Sequence, residues 1–173
     1  VSLKGQDVLV VLKLAVFQEQ WSYRPLAESL GISAAELVNC LRRAADSSLI
    51  DLTSKAVNNR NLLEFLSYGV RYVFPARRGE IVRGFPTSFA APPLNAYFQI
   101  ASESLIPVWK HKAGTHRGYE LEPIYPSVPE AARHDSDLYE LLALIDAIRE
   151  GRNRERNLAL QYLQARLGPS ENE

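Results

Sequence analysis

The residues best suited to recognition chemistry stand in the run SAAELVNCLRR, from Ser33 to Arg43. On a helix, Leu37, Cys40, Leu41 and Ala44 share one face, and Ala35, Asn39, Arg42, Arg43 and Asp46 fall mainly on the other. Ala34 and Ala35 keep the start of that outer face slim. An asparagine amide can pair bidentately with adenine, and a guanidinium with guanine or a phosphate. The face therefore has the composition of a helix entering the major groove of double-stranded DNA. Ser33, Ala34, Ala35 and Asn39 are expected at the bases, with Arg42 and Arg43 on phosphates. The plain alternative is a helix pair that contacts protein.

Three further groups of cations lie outside this run. Lys55 and Arg60 flank a possible turn at Asn58-Asn59. Arg77 and Arg78 are expected at a hairpin tip near Arg71 and Arg83, where arginine suits a narrow minor groove or a phosphate, and equally a solvated loop. Arg149, Arg152, Arg154 and Arg156 sit among Asp146, Glu150 and Glu155 at helical spacing, and ion pairs within the helix account for them.

Bond-making chemistry has no comparable support. The phosphate-cradling G-x-x-x-x-G-K-[ST], the dinucleotide G-x-G-x-x-G and the G-x-S-x-G elbow do not occur, so an enzyme is not expected and no cofactor is implied. His111 and His116 flank a turn, His134 stands apart, and Cys40 is the one cysteine, a set too scattered for a metal site. Glu120 and Glu122 read as surface acids, and Trp21 and Trp109 as core or interface anchors.

Helices must carry the outer face described above, and local signals predict them. Residues 6–20 are apolar nearly all round, which predicts a buried helix, with a buried strand as its rival. Ser22 is placed to cap a helix over 23–30, Pro25 falls in its first turn, and Gly31 suits a left-handed end. Ser33 and Glu36 form the S-x-x-E of a capping box opening the next helix. Two helices joined by a three-residue turn containing glycine, behind a third, make a helix-turn-helix. Residues 49–52 then read as a short strand.

The segment LAESLGIS followed by AAELVNCLRRAADSSLI resembles the winged helix-turn-helix regulators of the MarR-like group over residues 6–52, and more weakly to about Gly84. Ala27 matches the small residue between the two helices, Leu30, Gly31 and Ile32 the turn, Leu37 and Leu41 the buried side of the recognition helix, and Leu49 and Ile50 the start of the wing. Ser48 departs from the usual glycine, and Ala44 from a larger apolar residue. The resemblance implies a DNA-binding transcriptional regulator, with a repressor the simplest form. It also implies a homodimer, built by helices outside the wing, on a palindromic operator. Two wings are open, a short one over residues 55–60 or the basic hairpin after an insertion, and the short one is favoured.

Beyond the resemblance, strands at 70–74 and 80–83 are expected to form the basic hairpin, with Ala76-Arg77-Arg78-Gly79 as its loop. Residues 85–93 read as a strap, 94–102 as a helix, and the next stretch as a second hairpin turning at 113–115. Pro126 and Pro129 bound a loop. A capping-box-like start at Asp137 and Glu140 opens a helix whose stripe Leu138, Leu141, Leu142, Ile145 and Ile148 is assigned to a dimer or partner interface. Gly151 breaks it and helix resumes to about Leu167. The expected class is α+β, with a DNA-binding unit at 1–84, strap and hairpin at 85–135, helices at 136–167 and a disordered tail at 168–173.

Charge supports a polyanionic partner only locally. The 173 residues carry 20 basic and 20 acidic side chains, for a net charge of zero. From Arg24 to Arg117 there are twelve Lys/Arg against seven Asp/Glu, and from Gly118 onward six against eleven. Local potential, not the total, is what a phosphate backbone meets. The acidic end also suits a basic protein partner, as in an antitoxin that represses its own genes and covers a toxin. A pure protein-interaction module is the remaining rival. A lone cysteine and the lack of a long apolar run or leader pattern give the cytoplasm as the expected compartment, with no membrane partner.

Overall fold

In the computed structural model, which describes residues 2–17, 19–101 and 105–169, the chain is a mixed α+β fold. Three helices and a two-stranded hairpin come first, a small three-stranded sheet lies in the middle, and the C-terminal part is helical.

The first helix, α1 (Gly5–Val16), is the apolar segment read from the sequence, and Val8 to Leu12 are all fully buried. It begins where the Asp7 carboxylate accepts the Lys4 N–H at 2.8 Å. It stops at Val16, four residues before the expected end, as Phe17 turns extended. Gly5 lies against the Ile124 carbonyl, where a Cβ would have no room.

Local signals set the next two helices. In α2 (Tyr23–Leu30) Pro25 occupies the first turn, and Gly31 ends it at φ 67°, a left-handed conformation that favours glycine. In α3 (Ala34–Asp46) the Ser33 hydroxyl accepts the Glu36 N–H at 3.1 Å. The reciprocal half of the capping box does not form, because the Glu36 carboxylate turns to Arg43. Leu37, Cys40, Leu41 and Ala44 are buried against α1 and α2. Ser48 then adopts φ 60° in the position where glycine was expected.

The hairpin consists of β1 (Ile50–Asp51) and β2 (Ala56–Val57), paired Ile50 to Val57 and Asp51 to Ala56. The Asp51 carboxylate accepts the N–H groups of Thr53 and Ser54 at 2.7 and 3.0 Å, and Lys55 completes the turn at φ 58°. The turn therefore spans residues 52–55 and ends on Lys55, and is not at Asn58-Asn59. Asn58 instead caps α4 (Asn59–Tyr68), accepting the Asn61 N–H at 3.1 Å. Arg60 thus belongs to the first turn of a helix rather than to the hairpin.

The expected basic hairpin is not formed. Residues 70–74 have the β-branched and aromatic composition of a strand, yet Val70–Val73 make a short helix, α5, with only Val70 buried. Both edges of β3 (Arg78–Pro86) are taken by later strands, β4 (Ile106–Lys110) and β5 (His116–Leu121). Both run antiparallel to β3 and parallel to each other, so the three close into a ring and 106–121 is not a simple hairpin. Gly84 and Gly114 permit this closure, since a Cβ on Gly114 would meet the Gly84 backbone. The strap is ordered, with a 3-10 turn at Ser88–Ala90, and the helix expected over 94–102 is one 3-10 turn, Leu94–Ala96. Residues 102–104 lie outside the described residues.

The C-terminal helices are α6 (Val128–Arg133), which contains Pro129, α7 (Ser136–Glu150) and α8 (Asn153–Leu167). Asp135 caps α7 by accepting the Leu138 N–H at 3.1 Å, so the start at Asp137 and Glu140 is displaced. Leu138, Leu141, Leu142, Ile145 and Ile148 are at most 2% exposed, and this overturns their assignment to an interface. They belong to the same core cluster as α1 and α3, because Ala143, Leu144 and Ala147 bury the rest of the α7 surface as well. At its end, the fully buried Asp146 accepts from Thr87 Oγ1 and Trp109 Nε1 at 2.7 Å each and pairs with Arg149 at 2.7 Å. Most of the tail at 168–173 lies outside the described residues, and among those described no helix is long and apolar enough to cross a membrane.

Candidate nucleic-acid interface

α3 packs on α1, α2 and β1, and its opposite side faces solvent. Ser33, Ala34, Ala35 and Arg42 are exposed there. Asn39 is half-buried at the margin, its amide nitrogen 3.4 Å from the Glu36 carboxylate, a long and weak contact. Val38, not singled out by the sequence pattern, is 40% exposed between them.

Arg43 is not on this face, and its assignment to phosphate is corrected. Its guanidinium is buried and donates through Nε and Nη2 to Asp7 at 2.8–3.1 Å, with Nη2 reaching Glu36 at 3.0 Å. Asp7 is itself fully buried. With Nε and Nη2 committed to Asp7 and Glu36 and only 8% of the residue exposed, the guanidinium is held inside the protein rather than on the outer face of α3. The bond to Arg43, and then that from Asn39, holds the Glu36 carboxyl below the usual carboxylate range. Burial pushes the neighbouring Cys40 thiol up to about 12, so it remains a neutral core group. The signal for the pair is in the sequence, as Asp7 is the one acid of α1 and directly precedes five apolar residues. A charge there needs a buried partner.

Lys55 stands at the end of the hairpin turn with its ammonium 5.0 Å from the Trp21 ring centroid and 5.4 Å from that of Tyr23. The two rings meet edge to face at 5.3 Å. This cation–π contact fixes the hairpin against the entrance of α2 and keeps the charge at the surface. An open cleft of about 590 Å³ between Phe17, Trp21 and Val57 borders the same corner. Trp21 thus serves as an anchor for the hairpin, which no spacing in the sequence announces.

The remaining predicted cations lie on other elements. Arg60 is exposed on α4 and Arg77 is exposed ahead of β3. Arg78 is tied to the opposite end of the fold, donating to the Glu150 carboxylate at 2.8 Å and lying 4.7 Å from the Tyr119 ring centroid. It is an ion pair of the sheet with α7 rather than a hairpin tip. Of the arginine cluster, Arg149 alone makes the expected ion pair within a helix, with Asp146, and also donates to the Phe74 carbonyl; Arg154 reaches the Tyr97 carbonyl and Arg156 the neutral Asn153 side chain, while Glu150 pairs with Arg78 instead.

The histidines are less scattered than expected. His111 and His134 both meet the Glu130 carboxylate, at 2.7 and 3.1 Å, and Arg133 joins them at 3.5 Å. Among the described residues no group of three or more His, Cys, Asp or Glu could hold a metal ion. Comparison of the chain with family models, with curated proteins and with solved structures gives no match.

Proposed function

We propose that this chain is a sequence-specific double-stranded DNA-binding regulator, in which α2 and α3 form a helix-turn-helix and β1–β2 its short wing, with repression by occlusion as the simplest mode. The observation that carries the reading is the solvent face of α3, where two alanines, Val38 and the Arg42 guanidinium are presented free of bulky neighbours while a buried ion pair clamps the other side of the helix. A helix placed in a major groove needs this combination of a slim surface, a donor and a rigid mount. Lys55 on the wing supplies a second phosphate contact, and Arg42 the first.

The test is fluorescence anisotropy of the full chain with duplexes selected from a random library and with DNA from upstream of its own coding sequence. Sub-micromolar binding that weakens by at least about tenfold between 50 and 200 mM salt is expected. The reading is lost if no duplex binds at 50 mM salt. A protein-interaction module is the rival favoured by Tyr68 and Tyr72, which are 78% and 73% exposed, and it predicts that negative result. With the α7 stripe in the core, a homodimer and its palindromic operator rest on the family resemblance alone.

A further inference from the structure

The outward line of α3 does not run through the residue that sequence periodicity favours. Its exposed positions are Ala34, Ala35, Val38, Arg42 and Asp46, so Val38 lies on the outward line between the slim first turn and Arg42. Asn39 lies one position round the helix, half-buried and turned toward Glu36, which Arg43 holds in place. Between the slim first turn and the Arg42 cation, the central group offered to a partner is therefore a branched aliphatic side chain.

Valine is a poor choice for an exposed helical position on grounds of stability alone. It lowers helix propensity relative to alanine or lysine, and at 40% exposure it leaves much of its apolar surface in water. It has one asset there. In a helix Val keeps a single preferred χ1, so its two methyl groups are fixed in direction before any partner arrives. In the major groove the one apolar group on a base edge is the 5-methyl of thymine.

We infer that Val38 reads the 5-methyl group of a thymine, and that this contact, rather than an Asn39–adenine pair, is the central base contact of α3. The inference rests on the DNA-binding reading and specifies its substrate as duplexes with a thymine opposite the middle of the helix. Arg42, one turn further on, then lies over the neighbouring base step or its phosphate. Nothing covalent is involved. The discrimination is the removal of one methyl group and part of the Val38 surface from water.

The experiment starts from duplexes selected with the full chain at low salt. Each thymine of the selected site is replaced singly by deoxyuridine, which removes only the methyl group. Affinity is then measured for the wild type, Val38→Ser and Val38→Thr. In the wild type one thymine per bound helix is expected to weaken binding about three- to fivefold on replacement, the value of one buried methyl. Val38→Ser is expected to bind the thymine and deoxyuridine duplexes equally, and Val38→Thr, which keeps one methyl, to retain the preference. Position 38 is on the surface, and an unchanged circular dichroism spectrum and salt slope show that the variants fold. A wild type indifferent to deoxyuridine at every position overturns the inference and leaves the DNA-binding reading standing. So does a Val38→Ser variant with the same deoxyuridine penalty. Failure to select any duplex overturns both.

Discussion

Removing either member of the Asp7–Arg43 pair should cost far more than the loss of a surface contact. Asp7 is fully buried and Arg43 is 8% exposed, and three of the hydrogen bonds between them and Glu36 are no longer than 3.0 Å. Asp7→Ala leaves a buried guanidinium with Glu36 alone, and Arg43→Met leaves a buried carboxylate with the Lys4 N–H alone. Each should destabilise by about 3 kcal/mol, the lower end for a broken buried pair because one partner survives in each case. Against a total of about 5–15 kcal/mol that is a large fraction. The double variant has no stranded charge and should also lose about 3 kcal/mol rather than the additive 6, a coupling of about 3 kcal/mol. Urea unfolding followed by far-UV circular dichroism reads this directly. With a slope near 2 kcal/mol per molar, each single variant shifts the midpoint by about 1.5 M. Additivity of the two substitutions within about 0.5 kcal/mol would refute the clamp. So would an Arg43→Met variant that keeps full stability while losing DNA affinity, which would return Arg43 to the interface.

Three further outcomes follow from individual residues. Ser48 holds φ 60° after α3, so Ser48→Gly should raise unfolding stability by about 0.5–1 kcal/mol, measured by the same urea titration, and a loss would show that the left-handed turn carries no strain. The Ser88 hydroxyl is buried and has no hydrogen-bond partner among the described residues, so Ser88→Ala should be neutral or stabilising by about 1 kcal/mol, whereas a loss above about 1 kcal/mol would reveal a partner. Burial raises the Cys40 thiol from an ordinary 9.0 to about 12, so the folded state holds that proton more tightly than the unfolded chain. Its contribution to stability is complete below about pH 9 and drains away as pH rises toward 12. Between pH 8 and 11 the wild type should lose stability faster than Cys40→Ala, and parallel curves would contradict the assignment.

The parts of the fold that were legible in the sequence are those fixed by short-range chemistry. Gly31, the Ser33 cap and the 3.6-residue spacing of Leu37, Cys40, Leu41 and Ala44 place both ends of α2 and the start and buried face of α3, because each signal acts within one turn of helix. The errors arose where the deciding partner is distant. Arg43 lies at the edge of the outer face on a helical projection, and the fully buried Asp7, 36 residues earlier, pulls it inward. Residues 70–74 have the β-branched and aromatic composition of a strand, but a strand needs a free edge, and β4 and β5 occupy both edges of β3. The α7 stripe was legible as apolar and misjudged as an interface, although LLALIDAI is apolar nearly all round and such a helix belongs inside. Val38 is not legible in this way, because periodicity sorts residues into faces without showing which borderline apolar position remains exposed.

The salt dependence of DNA affinity for the wild type beside Arg42→Ala tests the account most directly. If the α3 face meets a duplex as described, the wild type shows a steep linear fall of log affinity with log salt concentration, and Arg42→Ala reduces that slope by about one with no change in stability. Wild-type binding that is absent or flat in salt, or an Arg42→Ala variant indistinguishable from the wild type, would contradict it.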